Sequence, residues 1–158
     1  MATAPKKKDK AQPQEATALL RADHKLVNEM FEQFESARGG AKKRTLAEQI
    51  CKELTVHAQI EEEIFYPAVR EALKDKELIP EATVEHATMK DLIAQIEEGD
   101  SEDDLWNARV KVLGEYVKHH VKEEQTEIFP KAKESDLDMT ELGAMLLQRK
   151  EELMSEME

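Results

Sequence analysis

The stretch His57-Ala-Gln-Ile-Glu61-Glu-Glu-Ile-Phe-Tyr-Pro67 has a counterpart in His120-Val-Lys-Glu-Glu124-Gln-Thr-Glu-Ile-Phe-Pro130. In each, a Glu follows a His by four residues and a Pro follows that Glu by six. Positions i and i+4 lie on one face of an α-helix, one turn apart. Each stretch therefore aims an imidazole and a carboxylate at one spot, a donor pair that suits a divalent first-row metal. Two copies predict two helices facing each other across a shared site.

Outward from these stretches the chain has few breakers. Gly39-Gly40, the segment from Lys74 to Pro80, Gly99 to Glu102, and Ser135 to Asp138 divide it into five helical segments. Between the breaks, apolar residues recur at steps of three and four, the helical period. The first helix, about 15–37, carries Leu20, Val27, Phe31 and Phe34. The second, about 41–73, carries Leu46, Ile50, Leu54 and Ile64. The third, about 78–97, carries Ala82, Met89, Ile93 and Ile96. The fourth, about 102–133, carries Leu105, Leu113, Val117 and Ile128, with Ser101 expected as its N-cap. No alternating strand pattern occurs. Short loops between long amphipathic helices predict an all-α, up-down-up-down four-helix bundle over 15–134. Residues 135–158 form a further C-terminal helix whose stripe of Leu142, Met145, Leu146, Leu153 and Met154 packs across the bundle or against a second copy. Residues 1–14, basic and almost without apolar side chains, read as a disordered tail.

Four of the five histidines continue an apolar stripe. His24 stands between Leu20 and Val27, His57 follows Leu54, His86 stands between Ala82 and Met89, and His120 follows Val117. Glu61 and Glu124 fall on the same inward faces. Six buried polar side chains, two of them carboxylates, cost several kcal/mol per unpaired ion unless something compensates them. A bound cation does so. Residue counts put His24 and His57 within about 3 Å in height. Across the two later turns the counts differ by about 10 Å for straight helices, a mismatch ascribed to helix ends, Pro67 and Pro80. His119, turned by about 100° from His120, is expected outside the ligand set. Glu85, Glu123 and Glu127 are candidates to orient the imidazoles, and Phe31, Phe34, Phe65 and Phe129 to bracket the site.

Composition bounds the rest. A net charge of −12 over 158 residues opposes nucleic-acid binding. No apolar run is long enough for a membrane span and no signal-peptide core is visible, so the expected address is the cytoplasm. The single Cys51 fits a reducing compartment and reads as a small buried helix residue. The expected state is a monomer or weak homodimer.

"RADH" ending at His24, "HAQIEEEIFYP", "VEH" ending at His86 and "HHVKEEQTEIFP" together resemble the hemerythrin HHE cation-binding domain family over about 16–133. The resemblance implies a bundle holding two non-haem, carboxylate-bridged iron ions. Glu61 and Glu124 would bridge them, His24 and His57 would cap one, and His86 and His120 the other. Spacing alone would also permit manganese or zinc. Oxygen-carrying members have a further His one turn after the third-helix His, where this chain has Lys90. The remaining pattern implies open positions for oxygen, nitric oxide or peroxide, with sensing, detoxification or iron handling as roles. A diiron oxidase or peroxidase, and a reversible iron store or donor, are the alternatives.

Overall fold

A computed structural model describes residues 14–157. The tail expected over 1–14 thus lies outside the described residues except for Gln14. Helix α1 spans Ala16–Ser36 and α2 spans Gly40–Ile60. A π-helical turn, Glu61–Phe65, leads on into α3, Tyr66–Leu73. Helix α4 is Leu78–Glu98 and α5 is Asp104–Glu123. A second π-helical turn, Glu124–Ile128, continues into α6, Phe129–Glu134. Helix α7, Met139–Glu156, closes the chain. The described residues hold no strand.

Local chemistry fixes the ends. The Glu15 carboxylate accepts from the backbone N–H groups of Thr17 and Ala18, and Asp75 accepts from those of Leu78 and Ile79. Asp103, not the expected Ser101, caps α5 by accepting from Leu105 N at 3.0 Å. Asp138 caps α7 from Glu141 N. These bonds satisfy helix-end donors that have no intrahelical partner. Gly39 turns the chain into α2 at φ 92°, where a side chain would be strained.

Each π turn ends two residues before a proline, with Tyr66 or Phe129 between. Pro67 and Pro130 have no N–H to give and crowd the carbonyl four residues back. Tyr66 N accordingly bonds Glu61 O, and Phe129 N bonds Glu124 O, five residues back instead of four. The helix widens by one residue without breaking.

Helices α1, α2, α4 and α5 pack as neighbours around a closed ring, the four-helix bundle. Their buried apolar residues form two clusters rather than one core. At one end lie Val27, Phe34, Ile50, Cys51, Ile93, Trp106 and Leu113. Trp106 donates its ring N–H to Ile96 O there, and burial pushes the Cys51 thiol up to about 12. At the other end lie Leu20, Ile60, Phe65, Val69, Ile79 and Phe129, with Leu142, Leu146 and Leu153 of α7. Leu105, expected inside, is 58% exposed, and Met145 of the α7 stripe is also exposed.

Helix α7 folds back over α1 and α2, so Leu142, Leu146 and Leu153 of its stripe are covered within the chain. Gly143 permits this: a Cβ there would stand 2.0 Å from Gln14 O. Between the two apolar clusters lies a buried polar layer. The α3 and α6 extensions pack on each other beyond it, so helix ends overhang and the residue counts from the turns do not measure height.

Candidate metal centre

His24, His57, Glu61, His86, His120 and Glu124 are all buried, and all six meet in the polar layer. The mismatch in residue counts is not one of position: His86 Nε2 lies 3.1 Å from Glu61 Oε1. The donors form two groups. His24, His57, Glu61 and Glu124 each offer an atom within 4.8 Å of the others, as do Glu61, His86 and His120. Glu61 belongs to both groups. Glu124 spans them, with Oε1 3.0 Å from His24 Nε2 and Oε2 3.5 Å from His120 Nε2.

The outer nitrogen of each imidazole is held by a polar partner. Asp23 Oδ2 lies 2.9 Å from His57 Nδ1, Glu62 Oε2 2.7 Å from His86 Nδ1, and Glu85 Oε1 2.6 Å from His120 Nδ1. Gln125 Nε2 lies 3.0 Å from His24 Nδ1. All four Nε2 atoms therefore face the interior, the orientation in which supporting groups hold metal-binding histidines. Of the three expected supports, only Glu85 fills that place. Glu123 lies near the exposed His119 instead, and Glu127 is exposed. Asp23, Glu62 and Gln125 escaped the sequence reading. Each adjoins a ligand candidate in sequence, which was their only signal. Behind two of them stand cations: Lys150 Nζ is 2.6 Å from Asp23 Oδ1, and Lys90 Nζ is 2.6 Å from Glu62 Oε1. Lys90 thus turns to Glu62 rather than placing its charge in the cluster.

Tyr66 also escaped. Its hydroxyl enters the second group, donating to Glu124 Oε2 and lying 3.2 Å from Glu61 Oε1, 3.3 Å from His86 Nε2 and 3.2 Å from His120 Nε2. Burial, then the charges of Glu124 and Glu61, hold the phenol well above its ordinary range. Phe129, at the matching place after the second π turn, stacks on His24 at 5.9 Å. Phe65 meets Phe129 edge-on. Phe34 and Phe31, expected beside the site, lie against Trp106 and Gly114 instead.

Burial alone would lower the imidazoles, but the carboxylates outweigh it. The Glu61 charge and the Asp23 bond push His57 well above its usual value. Bonds to Glu61 and Glu62 raise His86, and Glu124 raises His120 to about 9. Burial would raise Glu124, yet His120 and His24 beside it bring it well below the usual carboxylate range.

The first group fits a cation. His24 Nε2, His57 Nε2, Glu61 Oε2 and Glu124 Oε1 are buried side-chain atoms without a hydrogen-bond partner, and they are the four inward atoms of that group. His24 Nε2 and Glu124 Oε1 are close but not aligned to bond. Leaving four such atoms unpaired costs about 1–3 kcal/mol each. Two donors about 2.1 Å from one ion at right angles to tetrahedral angles stand roughly 3.0–3.4 Å apart. The observed His24–Glu124 and His57–Glu61 separations are 3.0 and 3.2 Å.

An apolar cavity of about 30 Å³ adjoins the four histidines, walled by Val27, Leu54, Met89, Ile93 and Val117. No helix among the described residues is long and apolar enough to cross a membrane.

Comparison with known proteins agrees with this architecture. A crystal structure of a hemerythrin HHE cation binding domain-containing protein from Mycobacterium kansasii has the same fold. Its TM-score is 0.74 at 22% identity, over 89% of this chain and 87% of that one. A DNA nickase from Nostoc sp. is 32% identical over 111 residues, covering 70% of this chain. The match spans 31% of the nickase's length. Residues 15–132 match the family described as Hemerythrin HHE cation binding domain. With three quarters of its length inside that match, the chain belongs to the hemerythrin HHE cation-binding domain family.

Proposed function

We propose that His24, His57, Glu61, His86, His120 and Glu124 hold two non-haem iron ions at which oxygen, nitric oxide or peroxide is met. The observation that carries this reading is the convergence of four unpartnered buried atoms, two imidazole nitrogens and two carboxylate oxygens, on one spot. Iron pairs of this kind supply reversible one- and two-electron chemistry toward small oxygen and nitrogen species. The chain's own part is to fix the donors. Asp23, Glu62 and Glu85 accept from Nδ1–H of His57, His86 and His120 and so leave their Nε2 atoms free to ligate, while Glu61 and Glu124 tie both halves together. The apolar cavity excludes bulk water and admits a molecule of diatomic size. A net charge of −12 sets the surface against a polyanion, so the reading has no nucleic-acid partner.

A second reading, turnover of peroxide as an enzyme, is favoured by Tyr66. Its hydroxyl is a protonated, buried donor among the ligands, able to give a proton where Glu124 now accepts it.

The test is metal analysis of protein loaded anaerobically with ferrous iron, with spectra under oxygen, nitric oxide and peroxide. Two irons per chain and a spectrum changed by nitric oxide support the reading. Fewer than one tightly held ion overturns it. Steady peroxide consumption that collapses in Tyr66→Phe favours the enzyme.

A further inference from the structure

The chain carries 35 acidic and 23 basic residues, yet one concave face inverts that balance. A groove of about 790 Å³ between α1 and α5 is lined by six Arg or Lys side chains and three Glu. Its size falls within the roughly 300–1,000 Å³ of small-molecule sites. The two helices run antiparallel along it, with Gln125 meeting His24 at one end and Gly114 meeting Phe31 further along. A Cβ at residue 114 would stand 3.1 Å from the Phe31 ring, so glycine gives that ring its place between the helices. Phe31, Val110, Val117 and Val121 supply the groove with an apolar floor.

Charge is ordered along the groove. Arg21, Lys25, Lys118 and Lys122 stand at the His24 end, whereas Glu32, Glu35 and Glu115 stand toward the other. All four cations are exposed. The Arg and Lys ion pairs among the described residues are made by Arg44, Lys90, Arg149 and Lys150 instead. Arg21 lies over the Phe129 ring, 5.4 Å from its centroid. At this end the groove shares His24, Val117 and Val121 with the apolar cavity beside the four histidines. A cleft lined by one sign of charge concentrates ligands of the other. Cations above an apolar floor suit a ligand with an anionic head and an apolar body. Residues 1–13 do not match that description, having four lysines and one aspartate.

We propose that this groove binds a small amphipathic organic anion. Its carboxylate, sulfonate or phosphate head is held among Arg21, Lys25, Lys118 and Lys122, and its apolar body lies on Phe31, Val117 and Val121. The bound molecule sits against the outer wall of the polar layer, at His24. The site stands on its own lining and holds whether or not the layer carries metal.

The experiment is fluorescence titration of full-length protein with anilinonaphthalene sulfonate and with phenylnaphthylamine, which has the same rings without the sulfonate. The sulfonate should saturate a single site, and the amine should bind roughly tenfold more weakly for want of charge-assisted bonds. Exchanging Lys25→Gln together with Lys118→Gln should weaken the sulfonate roughly tenfold and leave the amine unchanged. Exchanging Lys76→Gln together with Lys131→Gln, exposed lysines outside the groove, should change neither. Decanoate should displace the sulfonate, and inorganic sulfate at the same concentration should not. Equal binding of the two probes, equal weakening by the two lysine pairs, or no saturable binding overturns the proposal. Sedimentation of the same samples provides one more arm: a dimer that dissociates as the probe binds would put a second copy in the groove and overturn it too.

Discussion

The two halves of the polar layer share one eleven-residue His/Glu/Pro pattern and differ in the aromatic residue that follows each π turn. After His57 and Glu61 the π turn delivers Tyr66, and after His120 and Glu124 it delivers Phe129. Tyr66 puts its hydroxyl among Glu61, His86, His120 and Glu124, so the inward atoms of that half have a protein partner. Phe129 offers only a ring face to His24, and the four inward atoms of its half have none. The lesson is that a repeated ligand motif does not make equivalent sites. One half is satisfied by a phenol, and the other leaves four buried polar atoms without a protein partner.

The largest effect should come from the side chain that both halves share. Glu61→Gln removes a charge from each donor group. Both ions should weaken by more than the roughly 100-fold that loss of a supporting group causes. Metal analysis after dialysis should find less than one ion per chain, with helical circular dichroism retained. Retention of two ions would show that Glu61 is not the common ligand.

Supporting groups come next and act on one half each. Asp23→Asn should weaken the His24–His57 half by about 10–100-fold and leave the other nearly unchanged. Glu62→Gln should do the reverse, through His86. Titration with Co(II) would resolve the two steps. Equal weakening of both steps by either variant would mean that the halves are not separable.

Exchanging the aromatic residues tests the comparison directly. Tyr66→Phe should make the halves alike. Stripped protein should lose about 1–3 kcal/mol, because buried atoms around Glu124 lose their partner. The rise in Tm on adding metal should then exceed that of wild type, since the ions restore what the hydroxyl supplied. Phe129→Tyr should shift both quantities the other way if its hydroxyl reaches the first group. Unchanged thermal melts of stripped Tyr66→Phe would remove the phenol from any part in the balance.

The same asymmetry marks where sequence reasoning stopped. Period and burial cost were enough to place the five helical segments and to single out six side chains that meet in the polar layer, because each continues an apolar stripe. Tyr66 lay beyond that logic. Five residues after Glu61, it would stand about 140° away on a regular helix. Only the widened turn before Pro67 brings its hydroxyl over Glu61. Proline was visible in the sequence, but whether it kinks, ends or widens a helix depends on packing. Asp23, Glu62 and Gln125 were hidden for a related reason. Their hydrogen-bond partners lie on other helices, 24 to 101 residues away, and no local period encodes those pairs. Leu105 and Phe34 failed in opposite senses. The first helical turn of α5 leaves Leu105 to solvent, while Phe34 is buried but belongs to the far cluster around Trp106.

The smallest expected effect lies one layer further out. Lys150 of α7 holds Asp23, and Lys90 of α4 holds Glu62, so each half has a carboxylate fixed from behind by an ammonium group. The Lys150 side chain is 26% exposed and the Lys90 side chain 53%, so water screens the second pair more. Exposed ion pairs contribute about 0–1 kcal/mol. Lys150→Met should therefore weaken the His24–His57 half by only a few-fold, and Lys90→Met should change the His86–His120 half less still. If Lys150→Met proved as damaging as Asp23→Asn, the C-terminal helix would be part of the site's framework rather than a cover for its apolar end. The difference between the halves would then come from α7 as well as from the Tyr66 oxygen.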